Sequence, residues 1–530
     1  MPYLGLRGTK LLVAISATAG VGFCLFGIDN AALGGVISSG PFERKYNLDP
    51  TGQGAITGSY EIGCFFGALA FAIFGERFSR RIVLLFCCIP LMVGTVLQVA
   101  SYGTAQLAVG RVIAGLAMGG ITTTLPIWQN ETSPAHLRGT LVCASLSMLI
   151  VGQLIAYWTA YGLLDRYDTD FTWRLMFSLQ GMAGIIMAGL LWVMPESPRW
   201  LLSHSQPEAA RRVLSALLDL PTDAAKVSQQ INEISKANEL ERESAKGWSD
   251  LLRKGDDQGE KRRMLTVSHV VLVCQAFSGS TILSYQDAVG LTPHISTLLS
   301  GYLQIWFLIA SFATWWLIEH AGRRNLFLIT AFGMAVVMFI MGGLIKVGSK
   351  GAGIGATVMV FLYQAFPSYL FALLRTDLVI PEFKLMSFPK LSLAVALQWL
   401  FDFVLLMVTP IGIANIGYGM FLLFGAFNLT FIPFVYFYCP ETAGVPLESI
   451  DAFYLPGLDP IKESARIRKD LKFKLKLKLQ SGTMTSGLAD TSLAVISQVK
   501  IGSDNEVNAD VLAGAEKAQL ERPIARESTI

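Results

Sequence analysis

Long apolar segments recur along most of the chain, and polar connections separate them. A membrane-spanning helix needs roughly 20 consecutive, mostly apolar residues, because the hydrocarbon core of a bilayer is about 30 Å thick. The pattern therefore predicts an all-α membrane protein with twelve transmembrane helices, called spans 1 to 12 here. The spans are predicted at residues 11–36, 54–74, 82–101, 104–128, 140–163, 174–194, 265–286, 295–318, 325–346, 352–376, 390–413 and 416–438.

The composition supports this class of protein. Hydrophobic residues make up 52% and charged residues 15% of the 530 positions, whereas a soluble chain carries about a quarter charged residues. The seven cysteines lie in or beside the spans without a metal-binding spacing, so we expect no disulfide, metal or cofactor. The sequence also contains no nucleotide-binding loop and no nucleophile–base set. We therefore expect neither an enzyme nor a nucleic-acid-binding protein.

The basic residues indicate how the chain is oriented in the membrane. They are concentrated in alternate connections, and the other connections are short and poor in lysine and arginine. By the positive-inside rule, both termini and the connection between spans 6 and 7 are predicted to be cytosolic. The basic connections contain Arg77, Arg80, Arg81, Arg138, Lys261, Arg262, Arg263, Arg323, Arg324, Lys384 and Lys390.

Three charge motifs occur twice at a nearly constant offset. This repetition predicts two homologous halves of six spans, at residues 1–194 and 264–440. The polar segment 195–263 is predicted to be a cytosolic helical linker, and residues 441–530 a largely disordered cytosolic tail. The matching residues are Arg80 and Arg323 (243 apart), Glu196 and Glu441 (245 apart), Glu131 and Asp377 (246 apart), and Arg138 and Lys384 (246 apart).

These repeated charges suggest a gate at the cytosolic ends of the helices. Arginines and carboxylates there can form charge-assisted networks that hold the inner gate in one conformation and break in the other. The alternative is that the charges only set the topology. The predicted inner-gate network consists of Glu76, Arg77, Arg80, Arg81, Glu131, Arg138, Glu196, Arg199, Glu319, Arg323, Arg324, Asp377, Lys384 and Glu441.

The motifs together resemble those of fungal-type sugar porters of the major facilitator superfamily, over about residues 10–455. The resemblance implies the major facilitator fold and alternating access, with the two halves rocking about a central sugar site. The motifs that carry it are Phe26-Gly27-Ile28-Asp29, Gly110-Arg111, Glu131-Thr132-Ser133-Pro134, Trp173-Arg174, Pro195-Glu196-Ser197-Pro198-Arg199, Gly322-Arg323-Arg324 and Pro440-Glu441-Thr442.

The resemblance also implies a proton-coupling pair. In proton-linked members, an aspartate of span 1 pairs with an arginine of span 4, and these positions are Asp29 and Arg111 here. An ionised group inside a span is costly and usually functional, which supports the same assignment independently. The alternative is a static ion pair that ties span 1 to span 4.

The positions that contact sugar in the family are less well matched. The resemblance implies substrate contacts from Gln275, Thr281, Gln398 and Trp399, although a helix-packing role is the alternative for these residues. Leu146 stands where the family has a glutamine. Each unsatisfied buried polar group costs about 1–3 kcal/mol, so the lost amides weaken the binding of an ordinary hexose. A less polar ligand, a polyol or a sugar acid is therefore also expected.

Three further acids, Glu61, Asp287 and Asp402, are predicted at membrane depth. Glu61 follows Tyr60 in span 2, and Asp402 stands in span 11 where an asparagine is usual in the family. An acid at position 402 can bind a second proton or repel acidic solutes, which we treat as a hypothesis.

The resulting expectation is proton-coupled import of a sugar or sugar-like solute across the plasma membrane by a monomer. Its expected partners are that solute, protons and the lipid bilayer. The competing interpretation is a nutrient sensor that does not transport. A drug–proton antiporter of the same fold ranks last, because span 5 lacks the proline of such proteins.

Overall fold

Helices account for all regular secondary structure in the part of the chain that the computed structural model describes. The described residues are 2–37, 39–75, 77–134, 138–164, 167–244, 293–321, 323–364, 388–441, 459 and 461–470. Met1–Ala443 form one compact unit, and Gly444–Ile530 form a second. Within the second unit, residues 461–470 are helical.

The first half and the polar segment after it contain ten α-helices and one short 3-10 helix, Pro2–Gly5, among the described residues. Helices α1, α3, α4, α5, α6 and α7 coincide with spans 1 to 6. The short helix α2 lies between spans 1 and 2, and α8 to α10 lie in the predicted linker. The helices are α1 Gly8–Val36, α2 Gly40–Tyr46, α3 Pro50–Phe74, α4 Arg80–Val99, α5 Thr104–Thr132, α6 Arg138–Leu164, α7 Phe171–Val193, α8 Pro198–Ser203, α9 Pro207–Leu218 and α10 Ala225–Ser244.

The second half contributes five helices to the described part of the chain. They coincide with spans 8, 9, 11 and 12 and with the first part of span 10, whereas span 7 lies outside the described residues. By length and composition, eight of the described helices can cross a membrane. The predicted class of all-α membrane protein is therefore confirmed. The five helices are α11 Pro293–Ala321, α12 Arg323–Val347, α13 Lys350–Tyr363, α14 Phe388–Ile416 and α15 Gly419–Tyr438.

Large apolar side chains on the outer faces of the helices show where lipid covers the protein. On α4, Phe86 and Ile89 are each 60% exposed, and Val93 and Val96 continue the same row. Soluble proteins rarely expose contiguous apolar surface of this kind. The exposed row therefore faces the hydrocarbon of the bilayer, while the opposite face of α4 packs inward.

Glycines bring α3 and α5 into direct backbone contact. Gly63 and Gly67 of α3 lie against backbone carbonyls of α5, and Gly115 and Gly119 of α5 lie against backbone carbonyls of α3. Small residues four apart let membrane helices approach closely, and a methyl group at any of these four positions would collide with the opposite backbone. This contact fixes the distance between the side chains that α3 and α5 carry.

Glycines also bring α1 and α6 into direct backbone contact. Gly27 lies against the Leu149 carbonyl, and Gly152 lies against the Cys24 carbonyl. Because Asp29 follows Gly27 by two residues, this crossing holds the Asp29 backbone at a fixed depth within the first half.

The two halves meet through α3 with α14 and through α6 with α11. Gly58 of α3 packs against the ring of Phe403, and Gly301 of α11 packs against Trp158 of α6. The Trp158 and Tyr302 ring centroids are 5.6 Å apart. These contacts lie toward the ends of the helices that are remote from the repeated charge motifs.

Candidate substrate and proton-coupling site

Asp29 is the most enclosed acid of the site. It lies in the last third of α1 with no exposed surface, and neither of its oxygens accepts a hydrogen bond from the described residues. The Tyr60 hydroxyl faces its carboxylate, and the Arg111 guanidinium acts on it electrostatically. Taking a carboxylate out of water costs several kcal/mol, roughly, so an acid buried at this depth is a candidate functional group.

Arg111 reaches the same region from α5. It is 3% exposed, and its Nε donates a hydrogen bond to the Ile56 carbonyl at 3.0 Å. Its guanidinium carbon lies 5.1 Å from the centre of the Tyr60 ring, which is a cation–π contact. Its Nη1 has no hydrogen-bond partner among the described residues. Arg111 and Asp29 are therefore electrostatic neighbours that do not form a direct ion pair in this structure.

Two more acids complete what we call the acidic cluster, namely Asp29, Glu61 and Asp402. Glu61 on α3 is 5% exposed, and its Oε2 is buried without a hydrogen bond among the described residues. Asp402 of α14, Arg111 and Asp29 all act on it electrostatically. The acidic cluster therefore combines residues of both halves with the Arg111 guanidinium.

The two predicted substrate residues that the structure describes border this cluster. Gln398 Nε2 donates a hydrogen bond to Asp402 Oδ2 at 3.4 Å, within α14. Trp399 is 4% exposed and packs edge-on against Phe26, with ring centroids 5.5 Å apart. Its indole N–H has no hydrogen-bond partner among the described residues. The other two predicted substrate residues, Gln275 and Thr281, lie outside the described residues.

Part of the α6 side of the site is apolar. Leu146, which replaces a glutamine of the family, packs against the buried side chains of both halves. The neighbouring Ile150 is completely buried among side chains of the second half. Leu146 and Ile150 themselves offer no hydrogen-bonding group to a solute hydroxyl, whereas Gln153, one turn further along α6, has a buried Oε1 without a hydrogen-bond partner among the described residues.

The inner-gate residues of the first half form two kinds of contact. Arg80 pairs with Glu131 across α4 and α5, with Nε and Oε2 3.3 Å apart and both side chains about one-tenth exposed. By contrast, the Glu196 carboxylate accepts hydrogen bonds from the backbone N–H of Arg81 at 3.2 and 3.3 Å. The Arg81 side chain itself donates to the Met194 carbonyl at 2.8 Å.

The second half repeats the second kind of contact. Glu441 Oε2 accepts a hydrogen bond from the backbone N–H of Arg324 at 3.1 Å, and Arg324 Nη2 donates to the Tyr436 carbonyl at 2.6 Å. Arg81 and Arg324 are each the second residue of a helix. The carboxylates of Glu196 and Glu441 therefore neutralise helix N-termini, where backbone N–H groups lack partners.

The remaining inner-gate residues are placed less completely. Arg77 is exposed, and Arg199 Nε donates to Asn238 Oδ1 at 3.2 Å, which joins α8 to α10. Arg138, Glu319 and Arg323 lie in helices, whereas Glu76, Asp377 and Lys384 lie outside the described residues. Gating by this network remains a prediction.

Some contacts were not predicted from the sequence. Lys45 of α2 donates a hydrogen bond to Asp170 Oδ2 at 2.8 Å and lies 4.8 Å above the Trp173 ring. The Lys45 bond lowers the pKa of Asp170. The role of Tyr60 was also not predicted. Its position between Asp29 and Arg111 follows from the crossing of α3 and α5. Among the described residues, no group of His, Cys, Asp and Glu could hold a metal.

Comparison with known proteins agrees with this architecture. Residues 14–454 match the family model described as "Sugar (and other) transporter". The chain is 33% identical to the MFS-type transporter oryC of Aspergillus oryzae, covering 86% of this chain and 87% of the relative. It is 30% identical to the sugar transporter STL1 of Saccharomyces cerevisiae, covering 90% of this chain and 86% of the relative.

A solved structure supports the fold. The proton:xylose symporter XylE of E. coli superposes with a TM-score of 0.71 at 23% identity, over 84% of this chain and 100% of that chain. The chain has the major facilitator fold, and it belongs to the sugar transporter family, which makes it a membrane transporter and not an enzyme.

Proposed function

We propose that this transporter imports a sugar or sugar-like solute (a hexose, polyol or sugar acid) together with protons, across the plasma membrane and with both termini cytosolic. The observation that carries the proposal is the state of Asp29. It is completely buried without a hydrogen bond among the described residues, and Arg111 lies beside it without a direct ion pair.

This geometry suits a carboxylate that binds and releases a proton. Burial disfavours the ionised form of a carboxylate, whereas an adjacent guanidinium favours it. The two influences oppose each other at Asp29. A rocking motion that brings Arg111 closer, or admits water, releases the proton, and the reverse motion favours proton binding.

The solute class is argued from α14 and from the relatives. Gln398 and Asp402 supply an amide and a carboxylate, and Trp399 supplies an indole face and N–H, which suit a ligand with several hydroxyl groups. The names of two similar proteins, a yeast sugar transporter and a proton:xylose symporter, support the same class. The apolar Leu146 wall favours a solute with fewer polar groups than a hexose.

Uptake in a yeast strain that lacks its own hexose carriers tests the proposal. The full chain is expressed, and accumulation of labelled hexoses, pentoses, polyols and sugar acids is measured with and without a protonophore. The matched variant is Asp29→Asn, which keeps the size of the side chain. Asp168→Asn is the control. Asp168 is an exposed carboxylate in the connection between α6 and α7, where it forms an ion pair with Arg44.

We expect accumulation that the protonophore and Asp29→Asn abolish and that Asp168→Asn leaves intact. Exchange of labelled for unlabelled solute should persist in Asp29→Asn, because exchange needs no net proton movement. Uptake that survives the protonophore would contradict proton coupling and indicate a facilitative carrier. A chain that reaches the surface and admits no solute of the panel would contradict the proposed solute class and favour the sensor interpretation.

A further inference from the structure

Two polar side chains inside the first half are buried without a hydrogen-bond partner. Gln180 of α7 has no exposed surface, and neither its Oε1 nor its Nε2 has a partner among the described residues. Asp29 of α1 is in the same condition with both carboxylate oxygens. A buried polar group left unpaired costs about 1–3 kcal/mol. An apolar side chain at position 180 would avoid this cost, so the glutamine indicates a role other than packing.

The packing of α1 against α7 brings the two side chains to the same depth. A methyl group at Gly22 of α1 would lie 3.1 Å from the sulfur of Met187 of α7. Asp29 follows Gly22 by seven residues, and Gln180 precedes Met187 by seven residues. Seven residues are two helical turns, so each pair shares one face of its helix. Because the two helices are antiparallel, Asp29 and Gln180 therefore face the same crossing at one level.

A second contact confirms this register. A methyl group at Gly35, near the end of α1, would lie 3.7 Å from the terminal carbon of Met176 of α7. Asp29 and Gln180 thus lie between two points at which the helices touch. Interpolation between these points places Gln180 level with about residue 30 of α1, within about 2 Å of Asp29 along the helix axis.

The chemistry of an amide suits an acid that changes its protonation state. Tyr60 and Glu61 of α3 and Arg111 of α5 also face Asp29, and the Tyr60 hydroxyl does so without completing a hydrogen bond. The Arg111 guanidinium can only donate, so it suits the ionised carboxylate alone. The Gln180 amide can donate from its N–H groups to the ionised form and accept at its oxygen from the protonated form.

We infer that Gln180 is the hydrogen-bonding partner of Asp29 in both of its protonation states. The inference deepens the proposed function and rests on Asp29 being the proton-coupling acid. The two groups are not bonded directly in this structure. A rotation of the Gln180 side chain, or a water molecule between the groups, completes the bond. Asp29 then gains and loses its proton without leaving a buried carboxyl group unpaired, which lowers the free-energy cost of each cycle.

Infrared difference spectroscopy of the full chain in nanodiscs tests the contact without any solute. Asp29→Asn identifies the bands of Asp29, which are the C=O stretch of its protonated form and the carboxylate stretches of its ionised form. Gln180→Leu should shift the C=O stretch to higher frequency, because a hydrogen bond lowers the frequency of that stretch. Gln129→Leu is the matched control and should leave the bands unchanged. Gln129 is also fully buried, but its amide donates to the Leu141 carbonyl and the Ser145 hydroxyl.

The outcome is separable from that of the proposed function. Unchanged Asp29 bands in Gln180→Leu and in Gln180→Met would overturn the inference, even if Asp29→Asn abolishes coupled uptake. Gln180→Met is closer to glutamine in shape and decides the result if Gln180→Leu does not fold. A shifted band together with uptake of D-xylose or D-sorbitol that ignores the protonophore would support the contact and contradict proton coupling alone.

Discussion

The Glu196 carboxylate accepts a hydrogen bond from the backbone N–H of Arg81 at 3.2 Å, where α4 begins. The second half reproduces this contact with Glu441 and Arg324 at 3.1 Å, where α12 begins. The two halves therefore share an internal contact as well as a motif. Each carboxylate ties the residue after the sixth span of its half to the start of the third span.

Replacing Glu196 with glutamine should destabilise the protein by about 1 kcal/mol, because the amide keeps an acceptor oxygen but loses the charge that complements the helix dipole. Glu441→Gln should cost a similar amount, since its contact is equivalent. The measurement is the midpoint of thermal unfolding of the purified protein in detergent. Glu239→Gln is the control, because Glu239 is exposed on α10. Equal midpoints for the wild type and both variants would show that these contacts contribute nothing to stability.

Because Arg80 and Glu131 form an ion pair, the stability losses of their single variants should be strongly non-additive. Both side chains are about one-tenth exposed, so removing one partner leaves a largely buried charge and should cost about 3 kcal/mol. The double variant Arg80→Gln with Glu131→Gln should recover much of this loss. A double-mutant cycle from thermal unfolding measures the coupling. Additive losses would mean that the pair does not act as a unit.

Gly115 sets the distance between Arg111 and Tyr60. A methyl group at this position would collide with the Tyr60 carbonyl, whereas no atom lies within 4 Å of a methyl group at Gly189. Gly189→Ala should therefore be neutral or stabilise α7 by up to about 1 kcal/mol through helix propensity. Gly115→Ala should destabilise by about 1–3 kcal/mol through overpacking. Unfolding midpoints that shift in the same direction for both variants would refute this contact.

A substitution at Trp399 can distinguish a packing role from a role in solute binding. Trp399→Phe keeps an aromatic edge for Phe26 but removes the indole N–H, which has no hydrogen-bond partner among the described residues. If this N–H binds the solute, the unfolding midpoint should barely change while the apparent KM for uptake rises about tenfold, corresponding to about 1.4 kcal/mol. An unchanged KM with a lowered midpoint would assign Trp399 to packing alone.

The hydrogen bond between Lys45 of α2 and Asp170 should stabilise the protein in a pH-dependent way. Its hydrogen bond from Lys45 lowers the pKa of Asp170, so the stabilisation is complete above the ordinary pKa of an aspartate and is lost as pH falls through the lowered value. Asp170 is half-exposed, so the gain is at most about 1 kcal/mol. Asp170→Asn should lower the unfolding midpoint at neutral pH, and the difference should vanish in strong acid. Lys45→Met should also lower the unfolding midpoint at neutral pH and not in strong acid.

The sequence by itself determined the positions of the described membrane helices. Span prediction depends on the local length of apolar sequence, and that length is set by the thickness of the bilayer. The described helices coincide with the predicted spans for this reason. The internal repeat was also predictable, because a duplication preserves the spacing of its charges, and Glu196 and Glu441 have equivalent contacts.

The tertiary structure alone decided which side chains meet. Arginine motifs predicted side-chain ion pairs, yet Glu196 and Glu441 bind backbone N–H groups, because the start of a helix offers unpaired donors in a fixed direction. Likewise, the close contact of α3 with α14 depends on Gly54 and Gly58, which lie against the Met407 carbonyl and the Phe403 ring. Contacts between residues hundreds of positions apart follow from how helices cross, and small residues at the crossings set that geometry.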